Sequence, residues 1–289
     1  MLESIINPKK VERGAVKMFF VGLLYASVSI LGVKFLFSSD PVLYEYAGMI
    51  VVTFCVMFSL PFMYFLIKQE KEEDETVEGF FSVWKIHKDA IYAFMWLFLG
   101  FIIAFSFWNI ALGDSNLFNA QIETYCVINS PGNIDDCVNK YALEQAQVTG
   151  ASIKGFNRFV SIIENNAYVM LFTLLFSLFF GAGAIFVLAW NASVIAGAIG
   201  IFTKQSLSGI PIGITRYIIH GGPEIAAYFI TALAGGMFGI EVIDVIRNGR
   251  KNQKLLRVME NVVILLFIAI MILVVAAAVE VYFTPILFG

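Results

Sequence analysis

The chain has 289 residues with 59% hydrophobic and 14% charged side chains, a mean hydropathy of +0.82 and a formal charge of −3. That composition exceeds what a soluble domain of this size needs and defines an integral membrane protein. The mild acidity and the absence of an aromatic-interleaved basic patch argue against nucleic acid as a partner; the lipid bilayer is the first partner implied.

Spanning a hydrocarbon core of roughly 30 Å takes about 20 helical residues. Lys9, Lys10, Arg13 and Lys17 precede the first apolar run, and no small-residue cleavage site follows it, so this segment is expected to stay in the mature protein. Five runs are clear: 18–37, 47–67, 91–112, 167–190 and 261–283. A sixth, 223–246, carries Glu224, Glu241 and Asp244 toward its ends and an Ala/Gly-rich middle, the pattern of a helix buried among others. The stretch 192–203 is either a short crossing or one arm of a re-entrant hairpin with 209–219; a crossing is adopted, for seven segments in all. The expected fold is therefore an all-α polytopic bundle in three parts: 1–112, 113–166 and 167–289.

Between these segments, Lys68–Asp74 reads as a solvated charge run. Phe80, Phe81, Val83, Trp84 and His87 read as an interfacial helix, and Phe156, Phe159, Val160 and Ile163 as an amphipathic helix on the membrane over 154–166. Cytoplasmic loops carry the excess of Lys and Arg. Placing the amino terminus, 68–90 and 247–260 inside collects thirteen of the nineteen basic residues, which leaves the carboxyl terminus outside the cell membrane after seven crossings. Cys126 and Cys137 both fall in the outer loop, where the alternatives are a disulfide and two free thiols. Cys55 reads as a small buried hydrophobe.

Polar residues near segment ends supply the candidate site. Arg216, His220, Glu224 and Glu280 are expected to share the outer rim, with Gly221-Gly222 turning the chain into a helix whose first position is Pro223. Glu224 would then face the positive end of that helix dipole. Asn165, Asn166 and Asn191 read as helix caps or as hydrogen-bonding links to a neighbouring helix, with capping preferred. Gly197, Gly200, Gly235 and Gly239 read as close-packing positions, either within the chain or at a homodimer seam. One outer histidine with two carboxylates is a thin metal set, and neither metal nor other cofactor is assigned. No nucleophile and base stand together, so no enzyme is expected.

The blocks FGAGAIFVLAWNASVIAGAIG at 180–200 and RYIIHGGPEIAAYFITALAGG at 216–236, preceded by Asn165-Asn166 and followed by EVYFTP at 280–285, resemble the stage II sporulation protein M family in its archaeal form. The likeness covers 155–289 well, the first two segments and the amino terminus resemble the longer archaeal members, and the Cys-bearing loop is not part of it. The family's namesake is a polytopic scaffold that recruits a peptidoglycan hydrolase pair during engulfment. The resemblance therefore implies a non-enzymatic membrane scaffold that organises protein partners or membrane shape. A transporter or channel using the Arg216/His220/Glu224/Glu280 cluster is the alternative.

Overall fold

The computed structural model describes residues 15–74, 80–129, 137–138, 155–178, 182–203, 206–248 and 252–283. Nine α-helices are found among these: α1 (Ala15–Phe37), α2 (Pro41–Glu45), α3 (Ala47–Asp74), α4 (Phe80–Leu112), α5 (Asn119–Asn129), α6 (Gly155–Ser177), α7 (Ala182–Phe202), α8 (Ile210–Asn248) and α9 (Asn252–Ala278). Short 3-10 turns at Ser115–Phe118 and Leu207–Gly209 precede α5 and α8, and a π turn at Val279–Phe283 ends α9.

Five helices hold apolar stretches long enough to cross a bilayer: Val16–Phe37, Ala47–Lys71, Val83–Leu112, Gly221–Arg247 and Leu255–Phe283. Two more, α6 and α7, hold shorter ones at Ile162–Ser177 and Ile185–Ile201. The seven alternate in direction between two ends. At one end, Lys34 of α1 meets Asp114 just past α4, and Gln121 of α5 donates to the Gly48 carbonyl at the start of α3 (2.9 Å). At the other, Lys71 of α3 meets Glu241 and Asp244 of α8. The disulfide between Cys126 and Cys137, with Cα atoms 5.7 Å apart, belongs to the first end.

Local chemistry sets several boundaries. Asp40 caps α2 by accepting the Val42 and Leu43 N–H groups, with Pro41 at the first helical position, where its missing donor costs nothing. Gly113, at φ 58°, takes the left-handed conformation that stops α4.

The apolar core runs without interruption from Met18 to Leu273 across all three expected parts of the chain. At its centre Phe94 of α4 stacks on Phe229 of α8, ring centroids 4.5 Å apart. Close approach of backbones does the rest. A Cβ at Gly22 would lie 2.4 Å from the Leu97 carbonyl oxygen, and one at Gly100 would lie 2.3 Å from that of Phe19, so α1 and α4 touch through a reciprocal glycine pair. Gly235 and Gly239 do the same against Leu174 and Leu178, closing α8 onto α6; this face is used inside the chain. Gly197 packs on Gln121, and Gly200 is buried.

The structure corrects several expectations. The run 167–190 is not one crossing: the chain turns at Leu178, so 155–177 and 182–202 are separate helices, and 192–203 is the second half of α7. Hydropathy misses this turn because apolar residues flank it on both sides. The local signal is Gly183, whose Cβ would collide with Phe176 at 2.5 Å. Residues 155–166 and 80–87 form no separate interfacial helices but continue into α6 and α4, with Val83 and His87 fully buried. Residues 154 and 75–79 lie outside the described residues. Gln69, Glu70 and Lys71, read as solvated, are buried. Gly221, Gly222 and Pro223 make no turn between elements, since α8 continues through them.

A Gly239→Leu substitution is expected to cost about 1–3 kcal/mol or more through overpacking against the Leu178 backbone, read as a lower melting temperature in detergent. Gly221 has nothing within 4 Å of its would-be Cβ, so Gly221→Ala should hold or raise that temperature by relieving a helix of glycine.

Candidate functional site

The helix through Pro223 re-registers the cluster expected from sequence. Arg216, His220, Glu224 and Tyr228 follow one another at intervals of four along α8, which sets them on one helical face. Pro223 removes the donor that the Ile219 carbonyl would otherwise receive. Glu224 therefore stands in mid-helix, and the dipole at a helix start plays no part. Its partner is Asn166 of α6, whose Nδ2 donates to Glu224 Oε1 at 2.8 Å, while the Tyr228 hydroxyl donates to Asn166 Oδ1. Asn166 and Tyr228 are 5% and 6% exposed, so one amide joins two α8 side chains inside the bundle.

Glu280, in the π turn that ends α9, is close enough to act electrostatically on both Glu224 and Tyr228. Three helices thus converge at the disulfide end on two carboxylates, one amide and one phenol. The side chains of Arg216 and His220 lie outside the described residues. Capping is not the role of the three asparagines: Asn165 is exposed in mid-α6, Asn166 bridges helices, and Asn191 donates to the Val187 carbonyl within α7 (2.7 Å). Among the described residues no group of three His, Cys, Asp or Glu side chains could hold a metal ion.

A second polar constellation, at the opposite end, was not singled out in the sequence. Lys71 Nζ lies 2.7 Å from Glu241 Oε2 and 2.5 Å from Asp244 Oδ2, with the lysine 4% and Glu241 0% exposed. The preceding residue, Glu70, meets His87 of α4, Oε2 to Nδ1 2.6 Å, both fully enclosed. Adjacent positions on α3 therefore reach in different directions, one to α4 and one to α8. Glu241 Oε1 has no hydrogen-bond partner among the described residues. The available signal was the i, i+3 pair Glu241/Asp244 inside MFGIEVIDVI, which requires a base from a neighbour. Nothing local marks Lys71 rather than Lys68 as that base.

A third knot, centred on Asp114 just past the span of α4, ties α1 to the loops at the disulfide end. Asp114 Oδ2 accepts from Lys34 Nζ at 3.1 Å and from the Tyr44 hydroxyl at 2.5 Å, and Oδ1 accepts the Asn116 N–H. Partial burial pushes the Asp114 carboxyl up, but the hydrogen bonds from Tyr44 and Lys34, the lysine charge and the Asn116 N–H outweigh it and hold the group below the usual aspartate range. Burial and the neighbouring carboxylate push the Tyr44 phenol up.

This architecture defines a multi-pass α-helical membrane protein with paired polar groups at both ends of a glycine-packed bundle. The family model described as SpoIIM, stage II sporulation protein M, matches residues 50–285, and the chain belongs to that family. The match takes in α4 and α5 as well as the 155–289 blocks legible by eye, and leaves out α1 and α2. No curated protein and no solved structure matches the chain.

Lys71→Met strands two carboxylates and is expected to destabilise by about 3–5 kcal/mol, seen in detergent melting. The triple change with Glu241→Gln and Asp244→Asn should recover part of that loss. The Asp114 knot has a pH signature. Because its folded value is depressed below 3.8, its contribution is intact above that pH and is lost as pH falls through the folded value. Melting of Asp114→Asn should lack this acid-side component.

Proposed function

We propose that the chain is a non-enzymatic membrane scaffold that organises partner proteins or membrane shape, with its amino terminus cytoplasmic and its carboxyl terminus extracytoplasmic. One observation carries the reading. The acidic and basic side chains described within the spans gather at the two ends of the bundle, and the middle is filled by aromatic stacking and glycine-mediated backbone contact. Moving an ion or solute across takes polar groups at mid-depth or a cavity lined by them. A platform that presents fixed surfaces takes the reverse, helices locked against one another. Membership in the sporulation protein M family supports the same reading, and the disulfide opposite the lysine- and arginine-rich end supports the orientation.

The transporter reading draws on the nearness of Glu224 and Glu280 in a rim shared by three helices. A carboxylate pair there could exchange a cation with the outer solution but has no described counterpart halfway down.

Purified protein in proteoliposomes should give ion and solute flux no greater than empty vesicles, while crosslinking in native membrane should retrieve a defined protein partner in stoichiometric amount. Flux well above background that disappears in Glu224→Gln would replace the scaffold with the transporter.

A further inference from the structure

At 39 residues, α8 is about 58 Å long at 1.5 Å per residue, nearly twice the roughly 30 Å of a hydrocarbon core. The stretch of α8 long and apolar enough to cross a bilayer is Gly221–Arg247, whose 27 residues cover about 40 Å, more than the roughly 30 Å of the core. Near its start Pro223 lacks the N–H that would continue the helix's hydrogen bonding. The arm before it, made of the 3-10 turn at Leu207–Gly209 and residues 210–220 of α8, lies at the disulfide end outside that stretch.

The arm is not built for water. It holds Leu207, Ile210, Ile212, Ile214, Tyr217, Ile218 and Ile219. Leu207, Ile212 and Ile218 are 48%, 63% and 36% exposed. Ile210 and Ile214 pack against the core, so the arm seats one side on the bundle, and the apolar side chains exposed on its other sides need a cover. The formally charged residues from 204 to 220 are both basic, Lys204 and Arg216, which suits the phosphates of a headgroup layer. The bend that would lay the arm along that layer has its natural place at Pro223, which lacks a donor, and at Gly221, which has open space around it. At the same end, α2 also leaves Val42, Leu43 and Tyr46 exposed, the composition of an element seated in the interface.

We propose that the 207–220 arm, the 3-10 turn with the start of α8, is a lipid-binding element that lies in the headgroup layer of the leaflet on the disulfide side, its exposed Ile212 and Ile218 at the acyl boundary. The inference is independent of the scaffold reading, since a transporter could carry the same arm.

The test attaches an environment-sensitive nitrobenzoxadiazole probe to Ile212→Cys, and separately to Ile218→Cys, in a Cys55→Ser background that keeps Cys126 and Cys137 bridged. Each protein is reconstituted in phosphatidylcholine and phosphatidylglycerol vesicles at three to one. Quenching by a nitroxide carried at shallow depth in the lipid should exceed quenching by aqueous iodide at least threefold at both positions. Dominant iodide quenching would overturn the proposal by placing the arm in water. Protection from both quenchers would overturn it by showing that protein, such as a second copy of the chain, covers the arm. Melting temperatures matching the unlabelled parent establish that each variant is folded, and either labelled position alone decides between the outcomes.

Discussion

An ammonium group withdrawn from water must keep its counter-charges within reach, and Lys71 keeps two. The attraction is strong because the surroundings are apolar, and for the same reason neither partner can leave without exposing the other to that medium. Lys71 therefore fixes the register of α3 against α8. Glu70, one position earlier, fixes α3 against α4 through His87. Two neighbouring side chains of α3 thus tie it to both α4 and α8, the Phe94–Phe229 stack joins α4 to α8 directly, and Gly235 and Gly239 close α8 onto α6.

Inside a bilayer, lipid tails are as apolar as leucine, so hydrophobicity does not by itself bring helices together. The bundle relies on backbone approach instead. Where α1 meets α4 and where α8 meets α6, glycines remove the one carbon that would hold the helices apart, and dispersion between main chains takes over. Buried amides add directional links without adding charge: Asn109 of α4 reaches the Ala196 carbonyl of α7, and Asn166 joins Glu224 to Tyr228. Such bonds specify which neighbour a helix takes, while the glycine faces determine how near it comes.

Much of the fold was legible because hydropathy reports directly on what lipid tolerates. The class, the segment count and their alternation follow from apolar runs and charge distribution, and Gly235 and Gly239 announced their packing by spacing. What stayed hidden depends on contacts between distant residues. The turn at Leu178 lies inside an unbroken apolar run, so no polarity change betrays it. Pro223 after two glycines has the chemistry of a helix start, and only the packing of its neighbours shows that the helix passes through. For Asn166 the sequence left a cap and a link to a neighbouring helix both open, and only the fold decides for the link, because its partner sits 58 positions away. Lys71 stands in a string of charges that reads as solvated until α8 supplies its acids. Gly22 and Gly100 are single glycines in different helices, and neither makes a pattern without the other.

α1 lies ahead of the family match at residues 50–285 and is seated backbone to backbone on α4. A furrow deep enough to admit another main chain runs along α4 at Gly100, and here the protein occupies it with its own first helix. Self-occupation has a steric corollary: a foreign helix seeking that groove would have to evict α1. That face of α4 is closed to any neighbour in the bilayer for as long as α1 stays seated.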